Sequence, residues 1–190
     1  MGIHSLNCSL GGERIARHNH LRNAIFDAAQ MAALVPLKEP LHLVSGHGGI
    51  RPADVYIPQW CQGKGSCLDI VVTNPLQQAT VAQCAVAWDY AVNKAYSDKV
   101  TKFGAKCAAE GLAFFPIAVN MFGSWHKSSL ATIMKLGTQQ ARHLDKEPAE
   151  QVRFLHQRLA ISLAKDVSQM IACRVPAHAP TTMDGDQDFD

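Results

Sequence analysis

Arg51-Pro52-Ala53-Asp54-Val55 and Leu68-Asp69-Ile70-Val71-Val72, with fourteen residues between the two aspartates, are the stretches on which the fold is read. Each sets an acid inside an otherwise apolar run of strand character. A carboxylate is costly to bury unless it is paired or binds a cation. Two strands joined by a short, turn-rich connection bring such carboxylates side by side. Two explanations stand open on spacing alone. Convergent carboxylates hold Mg²⁺, a hard ion that takes oxygen ligands and shares its shell with substrate phosphate. Alternatively, one aspartate caps a turn and the other pairs with a lysine.

Outward from these stretches, residues 41–72 break into short apolar runs, LHLV, ADVYI and CLDIVV, separated by SGHGG and QGKGS. That texture predicts three strands in a meander. Upstream, Ile15, Leu21, Ile25, Ala28 and Ala32 recur at near-helical spacing and predict a helix over 13–34, ended ahead of Pro36, with the acid Glu39 near its end. Downstream, the proline-free, alanine-rich stretch 79–110 predicts a second helix, leading through Gly111 into a fourth strand over LAFFPIAV. After Gly123 the pattern is helical almost to Pro176, with Pro148 at the first turn of the last helix. Leu130, Ile133, Met134 and Leu144, then Val152, Leu155, Leu159, Leu163, Val167 and Met170, form stripes that predict packing on the core. The same stripes are compatible with a homodimer seam, although too short to establish a coiled coil. The polar, acidic end PTTMDGDQDFD predicts a disordered tail.

Composition bounds the function. A chain of 190 residues, 47% apolar and 18% charged, holds one domain and excludes a polymerase, a full kinase or a barrel enzyme. A net charge of +2 does not by itself announce a nucleic-acid or membrane-surface binder. The longest apolar stretch, Phe114 to Phe122, is interrupted by Pro116 and Asn120, and the first twenty residues lack a signal-peptide core. The expectation is a soluble, intracellular protein with no membrane partner. Leu6 stands where a myristoylation signal requires Ser or Thr. Six cysteines without a C-x-x-C pair read as free thiols packed as small hydrophobes.

Lys99 and Lys102, three apart, share a helical face beside Phe103, with Lys94 one turn earlier. A lysine near two metal-binding acids can position a water and offset charge on a scissile phosphate. Trp60, Trp88 and Trp125 read as core or boundary residues before base-stacking ones. Gly46, Gly48 and Gly49 around His47 form a turn, without the residue order of a phosphate cradle. Arg14, Arg17, Arg22, Lys64, Lys99, Lys102 and Lys106 are the cations available to meet phosphates.

The order of a helix, an acid, a strand with P-x-D, a strand with an aspartate amid hydrophobics, and a lysine-bearing helix and strand resembles the PD-(D/E)xK restriction-like nucleases. The segments ERIARHNHLRNAI, PLKEP, IRPADVYIPQW, CLDIVVTNPLQ, KVTKF, FFPIAV and FGSW sharpen the match. They look like the C-terminal restriction-like endonuclease domain of site-specific non-LTR retrotransposons and related reverse-transcriptase-linked sequences, over His4 to Arg174. The resemblance implies an α/β fold with a mixed central sheet of about four strands flanked by helices. It also implies four regions: a truncated zinc-motif remnant at 1–12, a nuclease core at 13–125, C-terminal helices at 126–175 and a disordered acidic tail at 176–190.

It implies a Mg²⁺-dependent DNA endonuclease, with Mn²⁺ as a substitute, that nicks a strand. Asp54 and Asp69 are then the metal-binding acids, Glu39 an additional acid, and Lys99 and Lys102 match the K-x-x-K-[YF] motif. Arg17 and His18, within an R-H-N triplet with Asn19, and Arg22 one turn on are the expected DNA-binding residues; for the triplet, bracing of the site and plain helix-face packing and capping stand as alternatives. DNA is the expected partner and the nucleus the expected location. A reverse transcriptase of the parent element is a further expected partner, since 190 residues cannot hold one. His4-x-x-x-Cys8 has the spacing of half a zinc site, but the family's preceding C-x-x-C is absent, so no zinc is expected. Two further departures are Val71 where many such enzymes carry lysine, and Asn120 where related sequences often show glutamate. They make the competing expectation a catalytically inactive, retroelement-derived module for nucleic-acid or protein binding.

Overall fold

The computed structural model of the chain describes residues 12–45 and 51–174. The expected zinc half-site and acidic tail lie outside the described residues. Helix α1 (Glu13–Met31) comes first, followed by strands β1 (Leu37–Lys38), β2 (Val55–Cys61) and β3 (Lys64–Thr73). Two short helices, α2 (Val81–Val86) and α3 (Tyr90–Lys99), run into a π-helical turn (Val100–Gly104) and α4 (Ala105–Ala109). Strand β4 (Ala113–Asn120) and helices α5 (Lys127–Leu144) and α6 (Pro148–Ala172) complete the chain. The four strands lie in the order β1-β2-β3-β4, antiparallel except for the parallel pair β3–β4. The chain is thus an α/β domain with a mixed open sheet and a C-terminal helical pair.

Sequence and geometry agree at the β2–β3 hairpin. Gln62 and Gly63 both take positive φ, 52° and 73°, the conformation of a two-residue turn whose twist matches the strands. The parallel partner β4 requires a crossover, and residues 74–112 supply it. Pro116 cannot donate to a ladder and is placed on this edge strand. Ser129 of α5 covers the edge: its Oγ accepts the Ala118 amide and donates to the Pro116 carbonyl, each at 2.9 Å.

Alternation along β3 decides which residues face which layer. Leu68 and Ile70 join Leu21, Ile25 and Ala28 of α1, Ile133 and Leu136 of α5 and Leu159 of α6 in the main core. Cys67 points to the opposite face, where Ala53, Phe103 and Cys107 form a smaller cluster under α4 and the π turn. Asp69 shares that face with Cys67. Helix α6 opens with Pro148 in its first turn and with the Glu147 carboxylate accepting the Glu150 amide at 2.7 Å.

Three expectations are corrected. LHLV (41–44) is not a strand; the third antiparallel strand is the two-residue β1, paired Leu37↔Tyr56 and Lys38↔Val55. Glu39 therefore follows a strand, at φ 45°, and is not carried near the end of a helix. The helix expected over 79–110 is divided at Ala87, which is extended, and rewound through the π turn. Helix α1 stops at Met31 because Ala33 turns to φ 54°.

Candidate active site

Asp54 lies one residue ahead of β2 and continues its ladder. Its amide donates to the Leu68 carbonyl at 2.9 Å and its carbonyl accepts the Glu39 amide at 3.0 Å. Since Val55 pairs with Leu68, the register sets Asp54 opposite Asp69. The Ile70 amide donates to Asp54 Oδ2 at 2.6 Å, so the side chain takes an amide that the departing β2 backbone no longer serves. Asp54 Oδ1 lies 3.1 Å from His18 Nε2, delivered by the second turn of α1.

Asp69 is only 4% exposed. Lys99, the last residue of α3, reaches it with Nζ 2.9 Å from Oδ1 and 2.8 Å from Oδ2. Only the Oδ1 contact has hydrogen-bond geometry, so the buried Oδ2 has no hydrogen-bond partner. Burial pushes the Asp69 carboxyl up to about 6, with Asp54 adding to the rise and Lys99 opposing it. Burial would raise Asp54 too, but the hydrogen bond and charge of His18, the Ile70 amide and the Lys99 charge outweigh it and hold Asp54 below 3.8. Asp54 is therefore the acid that ionises first, and Asp69 the one whose charge is costly.

The other named residues divide. Glu39 is bound by Arg22 Nη1, and Arg51 Nη1 lies 3.5 Å from its other oxygen. Arg22 is thus committed to an intramolecular acid, and Arg51, which the sequence had not singled out for this, shares the task. Lys102 stands in the π turn with Nζ 4.8 Å above the Phe103 ring, and no contact joins it to either aspartate. Lys94 pairs with Asp98 at 2.7 Å on the exposed surface. Asn120 is buried and its Oδ1 accepts the amides of Phe122 and Ser124, building the turn into α5.

A cleft of about 490 Å³ opens beside the pair, lined by Arg14, Arg17 and His18 of α1, Val71 of β3 and Lys99. Its wall carries the two groups that touch the aspartates. Among the described residues no cluster of three or more His, Cys, Asp or Glu is arranged to hold a metal. The residues that are present do suit Mg²⁺, which is commonly bound through one or two carboxylates with water and substrate phosphate completing the shell. Asp54 and Asp69 are opposed, and Asp69 Oδ2, 2.8 Å from Lys99 Nζ, makes no hydrogen bond. No protein-family model and no curated protein matches the sequence. No described helix is long and apolar enough to cross a membrane.

Proposed function

We propose that the chain is a Mg²⁺-dependent DNA endonuclease of the PD-(D/E)xK kind that its sequence resembles. The observation that carries this reading is the opposition of Asp54 and Asp69 across β2 and β3, with Lys99 Nζ on Asp69 and His18 on Asp54. A divalent cation, when bound, supplies positive charge at the scissile phosphate and a polarised water. Asp54 and Asp69 would hold it. The Ile70 amide and His18 fix the Asp54 carboxylate, and Lys99 fixes that of Asp69. Lys99 also lines the cleft, where its ammonium can orient a water and offset phosphate charge. Glu39 acts at one remove, holding Arg22 and Arg51 beside the start of β2.

The test is nicking of supercoiled plasmid with Mg²⁺ or Mn²⁺, comparing the chain with Asp54→Ala and with the Asp54→Ala, Asp69→Ala double variant. Metal-dependent nicking by the wild type and none by folded variants is the expected result. Cleavage retained by folded Asp54→Ala would sink the assignment. A second reading, a nucleic-acid-binding module without chemistry, is favoured by the ammonium already within 2.9 Å of both Asp69 oxygens and by the absence, among the described residues, of a group of three or more His, Cys, Asp or Glu able to hold a metal. It requires salt-sensitive binding that is indifferent to Mg²⁺ and survives loss of both aspartates.

A further inference from the structure

The α1 wall of the cleft carries a feature that the carboxylate pair does not explain. Arg17 is 4% exposed, yet it has no carboxylate partner among the described residues. Its Nη1 donates to Met170 Sδ at 3.4 Å, a weak acceptor, and its buried Nε has no partner. Asp166 lies close enough to act on it through charge but makes no ion pair with it: its Oδ1 is 2.7 Å from His20 Nδ1 and its buried Oδ2 has no partner. A buried guanidinium with an idle donor is expensive to maintain. It also lines the cleft, next to Arg14 and His18.

The helix end adds donors. No side chain caps α1, because Gly12 occupies the N-cap at φ 76°. The first intrahelical bond runs from the Ala16 amide to the Gly12 carbonyl at 2.9 Å, so the Arg14 and Ile15 amides have no intrahelical partner. The one acid of this turn, Glu13, is bound to Arg174 at 2.9 Å. The positive end of a 19-residue helix, a buried unpaired guanidinium and a second arginine therefore meet on one wall.

We infer that this wall is a phosphate-binding subsite, in which Arg17, Arg14 and the N-terminal amides of α1 hold one tetrahedral oxyanion. Several donors converging from different directions suit phosphate, and helix N-termini bind it through free amides and the helix dipole. His18 and Lys99 join the same cleft to Asp54 and Asp69. On the nuclease reading, on which this step rests, the bound group is a phosphodiester neighbouring the scissile one. The subsite itself does not depend on that reading.

The test uses the full chain in EDTA, so that cleavage plays no part. Inorganic phosphate is titrated against chloride of equal ionic strength in thermal melts of the wild type, Arg17→Met and Arg14→Gln. Binding of a single-stranded oligonucleotide is then followed by anisotropy over a range of salt. Phosphate should raise the melting temperature of the wild type and not of Arg17→Met. Arg17→Met should bind the oligonucleotide about 10- to 100-fold more weakly, the range for lost hydrogen bonds to a charged group. In both variants the salt slope should fall by about 1.

Stabilisation by phosphate with unchanged oligonucleotide affinity in Arg17→Met would assign the subsite to free phosphate and detach it from the strand. Equal stabilisation of wild type and Arg17→Met by phosphate would overturn the subsite. If Arg17→Met does not fold, Arg14→Gln at its exposed position decides: unaltered phosphate response and unaltered salt slope overturn the proposal. A chain that binds phosphate through Arg17 but never nicks DNA would sink the nuclease reading alone.

Discussion

Replacing Asp69 with asparagine should alter how stability depends on pH. Burial holds this carboxyl at about 6, against an ordinary 3.8. Between those values the folded chain keeps a proton that the unfolded chain has released, so stability rises as pH falls. At 1.36 kcal/mol per pH unit, ionised Asp69 destabilises the fold by about 3 kcal/mol above pH 7. About 2 kcal/mol of that is recovered between about pH 7.5 and about pH 4.5. Asp54 runs the other way: its lowered value contributes stability that is present above 3.8 and lost as pH falls through its depressed value, below this window. Asparagine preserves the volume and cannot ionise. For a chain of this size 1 kcal/mol moves the melting temperature by about 2–4 °C, so the wild type should gain about 4–8 °C on Asp69→Asn across the window. Thermal melts of both proteins in EDTA measure the difference, which cancels the titrating groups that Asp69 does not influence. Parallel pH curves for the two would refute the assignment of a costly charge to Asp69. Added Mg²⁺, by favouring the ionised form, should flatten the wild-type curve and leave Asp69→Asn unmoved.

Lys99→Met should lower plasmid nicking by about 10²-fold or more, the size of a lost charge stabiliser, whereas Lys102→Met should retain it; equal losses would show that the two lysines act together. Leu159→Ala empties a fully buried position between α6 and α1 and should cost about 2–5 kcal/mol in urea unfolding, and a cost under about 1 kcal/mol would contradict the packing. Gly137→Ala brings a Cβ to 3.0 Å from both Val152 Cα and Cγ2 where α5 meets α6. Strain of about 1–3 kcal/mol should exceed the gain of about 1 kcal/mol in helix propensity, and a higher melting temperature would refute it.

The strand that carries Asp69 and the one that Asp54 immediately precedes were legible because both signals are local. An acid in an apolar run marks a buried carboxylate, and the QGKGS cluster marks the turn that aligns the runs, although only Gln62 and Gly63 form it and Lys64 to Ser66 already belong to β3. The third strand was not legible. LHLV has the apolar density of a strand, yet the backbone hydrogen bonds of β2 are taken by Leu37 and Lys38, a dipeptide too short for periodicity to register. Val55 pairs with Lys38 and the Asp54 carbonyl with the Glu39 amide, so β1 sets where Glu39 stands. Long-range pairing thus decided against the local pattern.

Lysine choice shows the same limit in a helix. Spacing placed Lys99 and Lys102 on one face, and both ammonium groups do lie over the same Phe103 ring. At Val100 the chain widens into a π turn, with Lys99 Nζ 5.7 Å and Lys102 Nζ 4.8 Å from the ring centroid, but only Lys99 reaches Asp69. Phe103 is the physical reason to associate with that turn: its ring is buried in the cluster of Cys67 and Cys107, on the same sheet face as Asp69. Packing Phe103 and pairing Lys99 must be met by residues only four apart, and the π turn meets both. The local pattern names the lysines. The reach of one ammonium to Asp69 separates their tasks.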